Sequence, residues 1–149
     1  MSGTAVAVPD GKMLRRSESI SEPQTLKRSM MVVEDQPGTR WALVQLMQRA
    51  GFHVVGAASA EQALRLIDAG HRPDVVLADL HLPGEDGIWL LDRILKTNPK
   101  THAVLITAHA SDDGTPPDGV DRLNVPWLRK PVSISRLLGM LQDETAGTA

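Results

Sequence analysis

Three acidic residues, a threonine and a lysine each follow a short apolar run in this chain, and together they could handle a phosphoryl group. Glu34-Asp35 follows Met30-Met31-Val32-Val33, Asp79 follows Asp74-Val75-Val76-Leu77-Ala78, and Thr107 follows Ala103-Val104-Leu105-Ile106. Arg129-Lys130 follows residues 124–128. Taken singly, an Asp at such a place is more often a loop starter or a helix cap, and a Lys before proline a surface charge. The combination is harder to dismiss, because three carboxylates, a hydroxyl and an ammonium recur at the same end of four different runs. Gathering that many like charges costs several kcal/mol unless something cationic sits among them. Hard oxygen donors, with no thiolate and no histidine set, suit Mg²⁺ rather than zinc.

For these groups to meet, the runs must be parallel strands joined by helices. Apolar strands of this length read as buried on both faces. Between the first two strands, residues 38–50 have Leu43, Leu46, Met47 and Ala50 on one helical face, with Gly51 as a C-terminal stop. A second strand fits 53–58. Ser59-Ala60-Glu61-Gln62 has capping-box spacing, and Ala60, Ala63, Leu64 and Ile67 follow at helical period until Gly70. After Pro83-Gly84, a third helix over about 86–97 turns Ile88, Leu91, Ile94 and Leu95 inward, leaving Trp89, like Trp41 in the first, either outside as a contact residue or partly buried against a neighbouring helix. A fifth strand fits 124–128. Ile134, Leu137, Leu138 and Leu141, capped by Ser133, mark a last helix, with only 142–149 beyond it. The alternation predicts an α/β fold: a doubly wound, five-stranded parallel sheet with helices on both faces. In such folds sites form at the carboxyl ends of the strands, where strand order reverses.

The chain has 149 residues, a formal net charge of −2 and no cysteine. That excludes disulfides and thiol chemistry, and leaves no strong field to recruit nucleic acid. No apolar run approaches the roughly 20 residues of a membrane span, and no secretory signal pattern is present, so a soluble cytoplasmic protein is expected. Residues 1–28 mix Gly, Ser, Thr, Pro and charge without period and read as a mildly basic disordered leader, or less simply as a docking arm. The domain is expected over 29–145, with a short tail at 146–149.

Four blocks carry a family resemblance. Met31-Val32-Val33-Glu34-Asp35-Gln36, Val75-Val76-Leu77-Ala78-Asp79-Leu80-His81-Leu82-Pro83-Gly84-Glu85-Asp86-Gly87, Leu105-Ile106-Thr107-Ala108 and Lys130-Pro131 resemble the signatures of two-component response-regulator receiver domains. The D-x-x-L-P-x-x-D-G block is the most specific. The resemblance implies a flavodoxin-like sheet of order 2-1-3-4-5. It implies Asp79 as phosphoacceptor from a phosphohistidine, and Mg²⁺ (with Mn²⁺ as substitute) on Asp35, Asp79 and the His81 backbone carbonyl, with Glu34 acting through water. Lys130, ahead of a cis bond to Pro131, would pair with one phosphoryl oxygen and Thr107 with another, while Trp127 occupies the place of the family's switch aromatic. The implied partners are a histidine kinase or histidine phosphotransfer protein and an unknown downstream protein, with no direct DNA binding. Such a domain is a signalling device that assists its own phosphorylation and dephosphorylation.

Departures from the family pattern concern output. Residues 111–119, with two prolines and two glycines, cannot form a full fourth helix, since proline costs about 3 kcal/mol in a helix interior. At most a turn near 120–123 survives, which puts the usual receiver dimer in doubt and offers an adaptable partner surface. Trp127 is bulkier than the usual Tyr or Phe, so a working switch and a fixed core residue both stay open. His81 and His109 read plainly as solvent-facing variation, more sharply as groups ordering the water that attacks an acyl phosphate, and least simply as metal ligands. The alternative function is a phosphorylation-independent interaction module on the same fold. A dehalogenase-like enzyme would need a carboxylate where His81 stands.

Overall fold

Strands that are apolar at nearly every position have nowhere to put either face except against helices, and the chain obliges. The computed structural model describes residues 28–109 and 113–148, with side chains described as far as Gln142. Its elements are β1 (Ser29–Val33), α1 (Pro37–Arg49), β2 (His53–Ala57), α2 (Ala60–Asp68), β3 (Val75–Asp79) and α3 (Gly87–Thr97). They continue with β4 (His102–Thr107), α4 (Val120–Leu123), β5 (Trp127–Arg129) and α5 (Ile134–Thr148). All strand pairs are parallel, in the order β2-β1-β3-β4-β5. The expected fold class and sheet order therefore stand.

Side chains alternate across each strand, and the core divides accordingly. Met31, Val33, Val76, Ala78, Ala103 and Leu105 pack against α2, α3 and α4. Met30, Val32, Val75, Leu77, Val104 and Ile106 pack against Leu43 and Met47 of α1 and Leu137 and Leu141 of α5. Each such Val, Leu, Ile or Met side chain stabilises by about 1.5–3 kcal/mol relative to exposure. Ser59 caps α2 by accepting from the Gln62 N–H at 3.0 Å, and Asp86 caps α3 by accepting from the Trp89 N–H at 2.9 Å.

Several expectations are corrected. Leu46 and Ala50 were expected inside, yet Leu46 is exposed at 39% and Ala50 is exposed, because α1 covers the sheet with only the Leu43–Met47 stripe. Leu90 is fully buried, and Trp89 is half-buried against the same cluster with the Arg93 guanidinium 4.3 Å from its ring centroid. α3 thus embeds a broader face than its period implied, since α2 and α4 flank it. Trp41 does stand out, 67% exposed. β5 starts at Trp127 rather than 124, because Asn124 adopts a left-handed conformation (φ 55°) as the C-cap of α4. α5 runs to Thr148 rather than ending at Leu141, for no proline interrupts 142–148. α4 is the four-residue turn that the Pro-Gly segment permits. The leader assigned to 1–28 lies outside the described residues, except Arg28, whose carbonyl accepts from the His53 N–H at 2.9 Å.

Candidate functional site

The strand order reverses between β1 and β3, so the chain leaves their carboxyl ends in opposite directions and opens a crevice there. Val33 is in register with both Ala57 and Ala78, which sets Glu34 and Asp79 at neighbouring strand ends. The Glu34 N–H donates to the Ala57 carbonyl at 3.0 Å, extending the ladder by one residue and holding the side chain fully buried. On the far side, the Lys130 N–H donates to the Thr107 carbonyl at 2.8 Å and anchors the lysine backbone to β4. The Lys130–Pro131 peptide is cis.

These anchors bring Glu34, Asp35, Asp79 and Lys130 together. Lys130 Nζ lies 2.7 Å from Glu34 Oε1 and 2.7 Å from Asp79 Oδ2. The second oxygen of each carboxylate is also used: the Gln36 N–H donates to Glu34 Oε2 at 3.1 Å and the His81 N–H to Asp79 Oδ1 at 3.0 Å. Burial pushes the Glu34 carboxyl above its usual range, and the Asp79 charge adds to this against the opposing bonds from Lys130 and Gln36. Burial pulls the Lys130 ammonium down, but hydrogen bonds to Asp79 and Glu34 outweigh it and leave the pKa raised. One ammonium thus serves two carboxylates that are themselves buried.

Lys130→Met should cost about 2–3 kcal/mol of stability at neutral pH, because removing one partner strands the buried others. Glu34 holds its proton more tightly in the folded than in the unfolded chain. Its ionisation therefore erodes stability as pH rises from the usual carboxylate range through the raised one. The deficit of the variant should shrink as pH falls into that window, and adding Glu34→Gln should recover most of it. Urea unfolding across pH measures both; a deficit blind to pH and to Glu34 would refute the pairing argument.

Other expected residues are placed more loosely. Thr107 is buried, and its Oγ1 accepts from the His109 N–H at 3.0 Å. Trp127 is in register with Leu105 and half-buried against the α2–α3–α4 cluster, on the same sheet face as Thr107. The His81 and His109 rings meet edge to face, centroids 5.2 Å apart. They line a cleft of about 400 Å³ with Asp86, Ile88 and the Pro116-Pro117 segment that stands where a longer helix would. One contributor escaped the sequence reading: Arg40, whose Nη1 donates to the Glu34 carbonyl at 2.8 Å. Its only signal was a lone cation five residues beyond Asp35.

One oxygen from each of Glu34, Asp35 and Asp79 lies within 4.8 Å of the others. Three carboxylates with no sulfur or imidazole donor among them suit a hard divalent cation, so the donor chemistry fits Mg²⁺.

Comparisons with known proteins identify the family. The family model described as the response regulator receiver domain matches residues 30–142. Sporulation initiation phosphotransferase F of Bacillus subtilis is 32% identical over 88 residues, covering 59% of this chain and 70% of that protein. The DNA-binding transcriptional regulator NtrC of Escherichia coli is 29% identical over 111 residues, covering 74% of this chain but only 23% of the regulator. Among solved structures, a CheY-like response regulator receiver domain protein from Methanospirillum hungatei superposes with a TM-score of 0.69 at 24% identity, covering 80% of this chain and 94% of that one. The response regulator TrrA of Thermotoga maritima, solved in complex with Mg(2+)-BeF, gives 0.67 at 23% identity, covering 78% and 97%. The chain belongs to the response-regulator receiver-domain family, the signalling modules of two-component systems. Such domains work by phosphorylation and bind Mg²⁺ in an acidic pocket; they are not enzymes in the ordinary sense. Among the described residues, no helix is long and apolar enough to cross a membrane.

Proposed function

We propose that this domain takes a phosphoryl group from a phosphohistidine onto Asp79, in a Mg²⁺-loaded pocket, and passes the change to a protein partner. The observation that carries this reading is the Lys130 ammonium 2.7 Å from Asp79, with Glu34 buried on its other side. A carboxylate oxygen of Asp79 attacks phosphorus in line while the bond to the histidine nitrogen breaks, and the departing imidazole keeps the electron pair. Lys130 is placed to exchange its Asp79 contact for a phosphoryl oxygen. Thr107 accepts from the His109 N–H, which leaves its own hydroxyl proton to donate to another phosphoryl oxygen. Asp35, Asp79 and the His81 carbonyl would hold the metal, with Glu34 acting through water. When bound, Mg²⁺ supplies charge neutralisation on the transferring oxygens. The donor would be a histidine kinase or a histidine phosphotransfer protein.

With acetyl phosphate and Mg²⁺, intact mass should rise by one phosphoryl group. EDTA should prevent the gain, and hydroxylamine, which cleaves acyl phosphates, should reverse it. No Mg²⁺-dependent gain would sink the reading. A phosphorylation-independent interaction module remains the second reading, favoured by the four-residue α4 and by Trp127 packed against the core. Beryllofluoride separates the two: amide NMR shifts spreading from Asp79 to β4 and β5 support the switch, and shifts confined to the pocket support the module.

A further inference from the structure

Strand pairing in β1 ends at Val33 but for the Glu34 N–H bond to Ala57, so the carbonyls of the two acidic pocket residues lie past the ladder. The next element offers little help from its backbone, since α1 opens on Pro37, which has no N–H, and its N-cap Gln36 makes no side-chain capping bond. The Gln36 N–H serves the Glu34 carboxylate, and the carbonyls of Glu34 and Asp35 take their donor from further along the chain. Arg40 reaches back from the first turn of α1: its Nη1 lies 2.8 Å from the Glu34 carbonyl oxygen and 3.5 Å from that of Asp35.

A second, independent feature keeps this reach possible. The Arg40 stem crosses β2 at Gly56, where a Cβ would stand 3.3 Å from Arg40 Cδ and 3.4 Å from Cγ. Glycine weakens a strand interior, and it occurs there where another group must pass close to the backbone. Gly56 lies beside Val32 in the neighbouring strand, so the arginine is routed over β2 straight to the end of β1.

We propose that Arg40 is a positioning residue for the acidic pocket: its guanidinium clamps the Glu34–Asp35 backbone in the geometry that receives a divalent cation, and Gly56 is the slot for its stem. This rests on the Mg²⁺ reading of the pocket. The clamp acts on carbonyls, so it fixes the two carboxylates without occupying their oxygens. Both contacts come from Nη1 alone, so an ammonium could replace them only as far as its shorter stem reaches, and lysine is a partial substitute.

The test is calorimetric titration of the full chain with MgCl₂, alongside thermal unfolding without metal. Wild-type protein should bind; absence of binding overturns the metal reading itself, and is distinct from every result below. Arg40→Gln should weaken Mg²⁺ binding about tenfold, in the range seen when outer-shell partners of ligands are removed. Arg40→Lys should recover part of the loss. Gly56→Ala, which alters no pocket residue, should weaken binding about threefold, and the double variant Gly56→Ala/Arg40→Gln should be no weaker than Arg40→Gln alone. Should Arg40→Gln fail to fold, Gly56→Ala decides. Wild-type affinity in either single variant overturns the proposal, as does a melting temperature that falls while affinity stays.

Discussion

Asp79→Asn should end phosphoryl uptake from acetyl phosphate altogether while leaving the protein folded. The lysine and burial together decide between the candidate nucleophiles. Lys130 contacts only Glu34 and Asp79 among the described carboxylates, and Glu34 is fully buried. Asp79 keeps a 5% exposed edge at the mouth of the crevice and an ammonium beside it. An amide there has no anionic oxygen to attack phosphorus, so the loss should be complete rather than graded. Stability should move by about 1 kcal/mol, since Lys130 keeps Glu34 as its partner and the repulsion between Asp79 and Glu34 is relieved. Intact mass and urea unfolding read the two halves separately. A full phosphoryl gain in Asp79→Asn would move the acceptor elsewhere and undo the site assignment.

Gly87→Ala should produce the largest loss of stability of any one-carbon change near the pocket. Gly87 begins α3, and its N–H donates to the Leu80 carbonyl at 3.0 Å, so the helix start is tied to the strand end. A Cβ there would overlap the Asp79 carbonyl oxygen and stand 3.0 Å from Leu105 Cδ2. Both neighbours are fixed, one as backbone at the end of β3 and the other as a fully buried side chain. Overpacking of this kind costs about 1–3 kcal/mol, and loss of the Leu80 bond adds about 1. A fall in melting temperature on the order of 10 °C follows for a chain of this size. Relief of the overlap requires Asp79 to shift, so phosphoryl uptake should also slow. An unchanged melting temperature would show that α3 can slide without cost.

Both predictions rest on groups that sequence alone could find, and the reason is topological. Asp79 ends a strand whose apolar run is unmistakable, Lys130 precedes a proline just past the shorter β5, and a parallel sheet brings all such ends to one edge. Residues 113–119 were legible as non-helical because proline and glycine act locally. What escaped depends on breadth and distance. Helical period gives the direction of a buried stripe but not its width, hence the exposed Leu46 and the buried Leu90. Arg40 escaped because its partners are backbone carbonyls and because its path needs Gly56, which belongs to another strand. The late start of β5 turns on the left-handed Asn124, a conformation that composition does not announce.

The brevity of β5 has a consequence for solubility. With α4 reduced to one turn, the β5 side of the sheet would be the natural place for a foreign strand to add itself. The edge strand is only three residues long, Pro126 precedes it and Pro131 closes it. Neither proline has an N–H to offer, and the Pro126 carbonyl is already spent on the Leu105 N–H at 3.0 Å. An incoming chain finds too few free backbone groups to register against. The fold can thus give up most of a covering helix there without becoming a template for aggregation.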